Sequence, residues 1–181
     1  MTLFEQSASG EPGVSELKGR SAALLAVLIF VADQVTKGMI LESFDGDGVG
    51  ESRVLIPGLF SLTYLRNRGG AFGFLADLPG VWGQVFFVVF ALATVALLVW
   101  MLRKAPVEDF VQRVALTSVI GGAAGNLYDR LRYGEVIDFL DVYYRGWHWP
   151  AFNVADSAIS VGVALLVVSA MWPRAVSEAG E

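Results

Sequence analysis

WGQVFFVVFALATVALLVWML, residues 82–102, runs for 21 residues without a charge and carries a tryptophan at or near each end. A helix needs roughly 20 predominantly apolar residues to cross the hydrocarbon of a bilayer, and tryptophan collects where that hydrocarbon meets the headgroups. The stretch therefore reads as a transmembrane helix, and the rest of the chain has to be read with lipid as its solvent. Composition agrees: of 181 residues, 55% are hydrophobic and only 17% charged. The mean hydropathy of +0.56 is too oily for a soluble domain of this size.

Three further runs extend the pattern. SAALLAVLIFVADQVTKGMIL, 21–41, has no small-residue cleavage site after it and reads as an uncleaved span. VQRVALTSVIGGAAGNLYDR, 111–130, has only a short apolar centre, but Gly121 and Gly125 form a GxxxG at which helix backbones approach closely. ADSAISVGVALLVVSAMW, 155–172, completes a set of four. Residues 1–20 are polar, contain Gly and Pro and read as a mobile tail; 174–181 form a second tail, and 21–173 form one membrane domain.

The segments between spans have a different texture. After the Gly- and Asp-rich SFDGDGVGES, the sequence VLIPGLFSLTYLRN is rich in the β-branched and aromatic residues of short strands, and VIDFLDVYY at 136–144 matches it. Four crossings put segments 42–81 and 131–153 on the same side of the membrane. The unusual polar residues fall at that end of the spans: Asp33 and Lys37 late in the first, Asn126, Asp129 and Arg130 at the end of the third, Asp156 at the start of the fourth. Charges near lipid are costly unless paired or lining a wet cavity, so their convergence points to one site. Basic residues are slightly in excess on the side of the termini, a weak bias toward cytoplasmic termini.

Composition also excludes chemistries. No cysteine is present, which removes thiol nucleophiles and thiolate metal sites. The single histidine, His148, cannot complete a zinc site and reads as an interfacial side chain. A net charge of −5 offers no basic stripe for nucleic acid. Asp33 and Lys37 stand one helical turn apart, as an ion pair would, and they either make a polar patch tolerable or wall the site. Asn67, in NRGGAF, marks a Gly-rich turn or an amide for a peptide backbone. Asp129 and Arg130 are neighbours on a helix and must face different partners. Asn153 is placed to cap the fourth span with Asp156 at its third position. Asp138 and Asp141, three apart in an extended segment, point to opposite faces, so only one of them serves a given site.

DQVTK, NRGGAF, GGAAGNLYDR with GEVIDF, and FNVADS, in this order among four apolar spans, resemble the bacterial lipoprotein signal peptidases, signal peptidase II, over roughly residues 30–160. The resemblance implies a mainly α membrane protein, with four transmembrane helices, a small β-sheet cradle on the extracytoplasmic face and both termini cytoplasmic. It implies a monomeric aspartyl endopeptidase of the inner membrane, without metal or cofactor, that cuts diacylglyceryl-modified prolipoproteins before the lipidated cysteine. Its catalytic pair maps to Asp138 and Asp156; Asp33, Lys37, Asn67, Asn126, Asp129, Arg130 and Asn153 map to substrate-holding or supporting positions.

Two carboxylates a few ångström apart cannot both ionise, so one acts as base and the other as acid near neutral pH. Two other readings compete. A magnesium-dependent phosphatidyl transferase also clusters aspartates at a bilayer face, but the helical motif for that chemistry has its last aspartates four apart, not three apart in an extended segment. An ion-coupled carrier expects acids along a path through the bilayer, and the second and fourth spans are almost free of polar residues at mid-depth.

Overall fold

The computed structural model of the chain describes residues 14–44, 48–70, 74 and 81–171. Ala71 and Phe72 of NRGGAF, Trp172 and the 174–181 tail fall outside them. Four long helices and four strands follow in the order α1 (Val14–Ser43), β1 (Ser52–Ile56), β2 (Phe60–Asn67), α2 (Val81–Lys104), α3 (Phe110–Tyr133), β3 (Val136–Tyr144), β4 (Trp147–His148) and α4 (Val154–Met171). The helix of the first span begins at Val14, inside the stretch expected to be a mobile tail. The third runs on to Tyr133, past the boundary expected at 130.

Stretches Ser21–Ser43, Val81–Lys104 and Val154–Met171 are long and apolar enough to cross a membrane. They turn large apolar side chains outward, among them Leu28, Val35, Phe90, Leu97, Val163 and Val167, as helices bathed in lipid do. Helix α3, 24 residues long, has the opposite design: it packs against α1, α2 and α4, and its buried residues include Ala115, Leu116, Val119, Gly121, Gly122, Gly125, Asn126 and Asp129. Its glycines make this possible. A Cβ on Gly121 would lie 2.8 Å from the Ala26 carbonyl oxygen of α1, and one on Gly122 would strike the Ala155 carbonyl oxygen of α4. GGAAG is thus a two-sided contact, with Gly121 facing α1 and Gly122 facing α4.

The ends of α3 are fixed locally. Asp109 caps its start by accepting from the Gln112 N–H at 2.9 Å. Gly134, at φ 78°, takes the left-handed position that ends the helix and donates to the Arg130 carbonyl, the usual work of a glycine after a last helical turn. The chain then passes directly into β3.

The strands form one antiparallel series in the order β1-β2-β3-β4. Pro57-Gly58, with Gly58 at φ 79°, turns β1 into β2, and Arg145-Gly146, at φ 51° and 81°, turns β3 into β4. Leu65 pairs with Asp138 and Asn67 with Val136. The segment before α4 is pinned to β3, because the Phe152 carbonyl accepts from Phe139 and Leu140 and the Phe152 N–H donates to Leu140. Ile40 of α1 and Phe44 just after it pack with Tyr64, Ile137 and Phe139 in a buried cluster that seats the sheet on the helix ends. The sheet thereby holds Asp138 and the start of α4 in one fixed register.

Gly122→Val places a Cβ into backbone that cannot yield. The variant is expected to lose about 1–3 kcal/mol of stability, read as a lower melting temperature in detergent micelles.

Candidate active site

The site is assembled from helix ends and strand starts, each needing a partner for a backbone group. Asn153 caps α4: its Oδ1 accepts from the Asp156 N–H at 2.8 Å, and Asp156 Oδ2 accepts in return from the Asn153 N–H at 3.3 Å. This reciprocal arrangement is a capping box. A second cap comes from another helix, since Asp33 Oδ1 of α1 accepts from the Ala155 N–H at 2.9 Å. The start of β3 is held likewise, with Asp129 Oδ2 of α3 accepting from the Ile137 N–H at 3.2 Å. Two buried aspartates therefore stand behind the two elements that carry Asp138 and Asp156.

Those two aspartates share one cation. Lys37 Nζ lies 2.7 Å from Asp33 and 2.7 Å from Asp129, with all three side chains sealed from solvent. Its third donor goes to Asn126 Oδ1 at 3.0 Å. An ammonium only donates, so this bond fixes which end of the Asn126 amide points forward: Nδ2 faces Asp156 and donates to its Oδ1 at 2.7 Å. Asn153 Nδ2 reinforces the choice by donating to Asn126 Oδ1 at 3.2 Å, and it also donates to Asp138 Oδ1 at 2.8 Å. Asp138 Oδ2 accepts from Asn67 Nδ2 at 3.0 Å.

Asp138 and Asp156 both line one cavity of about 1030 Å³, together with Asn67, Asn126 and Arg130 and with an apolar wall that includes Trp149, Phe152 and Ile159. Burial, reinforced by the Asp156 charge, pushes the Asp138 carboxyl from the ordinary 3.8 up to about 7; the Asn67 amide, Lys37 and the Asn153 amide oppose the rise. The Asp138 carboxyl thus titrates close to neutral pH, in the same cavity as Asp156. A pair of carboxyl groups in one cavity can polarise a carbonyl and activate a water to attack it.

The sequence-derived residues divide into two groups. Asp138, Asp156, Asn67, Asn126 and Arg130 reach the cavity. Asp33, Lys37, Asp129 and Asn153 are buried behind it and orient the first group. Asn67 differs from a free amide awaiting a peptide: Nδ2 is engaged by Asp138, and Oδ1 accepts from the Gly69 N–H at 2.9 Å. Arg130 does face away from Asp129; its Nη2 donates to the Gly69 carbonyl at 2.9 Å, and its guanidinium lies 5.0 Å from the Phe87 ring centroid. Asp141 points away from the cavity and accepts from Ser61 Oγ at 2.8 Å beside His148, which stacks on Tyr143.

Sequence reading missed Gln34, whose Nε2 donates to Asp129 Oδ1 at 2.9 Å, and Gln84, which donates to the Arg130 carbonyl at 3.0 Å. A polar amide within an apolar helix, one residue after Asp33, was the available signal for Gln34.

Lys37→Met leaves two buried carboxylates without their cation and is expected to cost about 3–5 kcal/mol, measured by denaturation in micelles. A second outcome concerns pH. A carboxyl raised from 3.8 to about 7 favours the folded state fully below the lower value, and the contribution is lost as pH rises through the upper one. Asp138→Asn has no such dependence, so its melting temperature relative to the unsubstituted protein should climb between pH 4 and 7 and level off above.

The family model for signal peptidase (SPase) II matches residues 25–172. A lipoprotein signal peptidase of Syntrophotalea carbinolica is 44% identical over 84% of this chain and 91% of its own length. One from Geobacter sulfurreducens is 50% identical over 76% of this chain and 83% of its own length. A solved structure described as a bacterial membrane enzyme superposes with a TM-score of 0.74 at 32% identity, covering 89% of this chain and 93% of that one. With these matches extending over most of its length, the chain belongs to the signal peptidase II family of aspartic membrane peptidases.

Proposed function

We propose that this chain removes the signal peptide from diacylglyceryl-modified prolipoproteins, cutting before the lipidated cysteine, with Asp138 and Asp156 as its catalytic pair. The observation that carries the assignment is their convergence on one cavity from separate elements, each with its oxygens held by amide donors. Asp156 stands in the first turn of α4, where the free N–H groups and the helix dipole favour negative charge. It is the ionised partner and takes a proton from water. The hydroxide so generated attacks the scissile carbonyl carbon, while the Asp138 carboxyl gives its proton to the carbonyl oxygen. Collapse of the tetrahedral diol expels the amine, which leaves with the proton that Asp156 acquired. The hydroxyl proton of the diol returns to Asp138, and the pair is restored.

Arg130, on the cavity wall against Phe87, holds a substrate carbonyl or headgroup phosphate, while Asn67 positions Asp138. Substrate enters sideways from lipid, its acyl chains remaining among apolar surfaces. The protein acts as a monomer, crosses the inner membrane four times and carries the sheet and the site at the outer face. In support, Arg103, Lys104 and Arg113 cluster at the α2–α3 turn, where Arg113 Nη1 donates to the Leu102 and Ala105 carbonyls at 3.3 Å; such clusters are retained on the cytoplasmic side.

Purified protein incubated with a lipidated prolipoprotein is expected to shorten it by the mass of the signal peptide, with or without EDTA. Asp138→Asn and Asp156→Asn abolish cleavage with insertion intact, and Asp141→Asn remains active; the reverse pattern would overturn the catalytic pair. Topology has its own readout. Because the chain has no cysteine, Arg145→Cys should react with an impermeant maleimide added outside spheroplasts, and Glu108→Cys only after permeabilisation.

A further inference from the structure

A second groove lies on the seam between α1 and α3, enclosing about 370 Å³. It shares no lining residue with the catalytic cavity. Phe30, Gln34, Gly38 and Leu41 supply one wall and Tyr128 and Arg132 the other. From Phe30 to Leu41 the helix rises about 16 Å, so the groove runs from the apolar depth of the bundle toward its polar end. Phe30 and Tyr128 meet edge to face at the deeper end, ring centroids 5.8 Å apart.

Arg132 stands at the upper end. It is exposed, its Nη1 donates to the Tyr128 hydroxyl at 3.0 Å, and its guanidinium lies 5.0 Å from the Tyr133 ring centroid. Among the described residues no carboxylate comes within ion-pair distance of it. Lys37 contributes to the wall, but its ammonium is turned inward to Asp33 and Asp129. The groove therefore presents a single outward cation above an apolar trough.

Gly38 is a second, independent observation. Glycine inside a helix is less favourable than alanine by roughly 0.5–1 kcal/mol, and at Gly121, Gly122 and Gly125 close backbone or side-chain approach explains it. At Gly38 nothing lies within 4 Å of where a Cβ would stand. The space that this residue keeps open belongs to no part of the described protein; it is the groove itself.

We propose that this groove binds an anionic phospholipid of the adjoining leaflet, with the phosphodiester on Arg132 and one acyl chain in the trough over Gly38 and Phe30. A planar guanidinium is suited to phosphate oxygens, and a tyrosine pair beside it suits the headgroup level of a bilayer. Because Lys37 and Gln34 form the back of the groove, the lipid packs directly against the residues that orient the catalytic pair.

The test uses the full chain in detergent, offered phosphatidylglycerol or phosphatidylcholine and examined by native mass spectrometry, with melting curves to establish that each variant is folded. The unsubstituted protein should retain phosphatidylglycerol in preference to phosphatidylcholine, even in excess inorganic phosphate. Arg132→Gln and Gly38→Leu should each reduce that retention about tenfold, the first by removing the charge and the second by filling the trough. Equal retention of the two lipids, displacement by inorganic phosphate, or wild-type retention by either folded variant would overturn the proposal. Gly38→Leu meets open space, so it keeps the question answerable if Arg132→Gln fails to fold.

Discussion

Lys37 is the residue on which the rest of the site depends. Its ammonium has three donors and uses them on Asp33, Asp129 and Asn126. Asp33 in turn caps α4, Asp129 holds the start of β3, and Asn126 faces Asp156. One buried cation thereby relates α1, α3, α4 and β3 at fixed distances. A buried ion group of this kind is poor evidence for net stability, because desolvation offsets much of the attraction. Its value here is directional: each bond it makes leaves a partner with only one way to point.

The same cluster constrains protonation. Four buried or half-buried carboxylates, Asp33, Asp129, Asp138 and Asp156, face two cations, Lys37 and Arg130. Ionising both Asp138 and Asp156 would place two like charges in one poorly solvated cavity. The elevated Asp138 value has its main cause in burial and its second in the Asp156 charge. The local structure around the two members differs. Asp156 sits in a first helical turn, whereas Asp138 lies on a strand that offers no aligned dipole. Two identical side chains thus stand in different local fields because of the secondary structure each one ends up on.

Much of this was legible in the sequence because the relevant signals are local. Predominantly apolar runs of about 20 residues marked the helices, β-branched runs marked β2 and β3, and FNVADS marked the cap of α4, down to the position of Asp156. Alternation along β3 separated Asp138 from Asp141 without any knowledge of what either would touch. The start of α1 at Val14 was not legible, since polar residues flanking an apolar run fit a frayed tail or a helix equally well. Nor was the role of Asn67: an amide beside two glycines carries no mark of whether it waits for substrate or is already bound to Asp138. Partners such as Ser61 for Asp141 or Gln84 for the Arg130 carbonyl lie 80 and 46 residues away and become neighbours only through the register of the sheet and the packing of the helices.

Helix α3 shows why the least apolar of the four segments is the central one. A helix that carries Asn126, Asp129 and Arg130 near its end could not present those groups to lipid without a cost of several kcal/mol each. Surrounding it with α1, α2 and α4 moves the lipid contact to their outward faces, and α3 is freed from the need to be greasy. That arrangement demands close approach from more than one side, which is why glycines appear at 121, 122 and 125, where Cβ atoms would collide with α1 or α4. Low hydropathy and a glycine-rich centre are therefore two consequences of one requirement: the polar site must be carried on an element that packs against several helices at once.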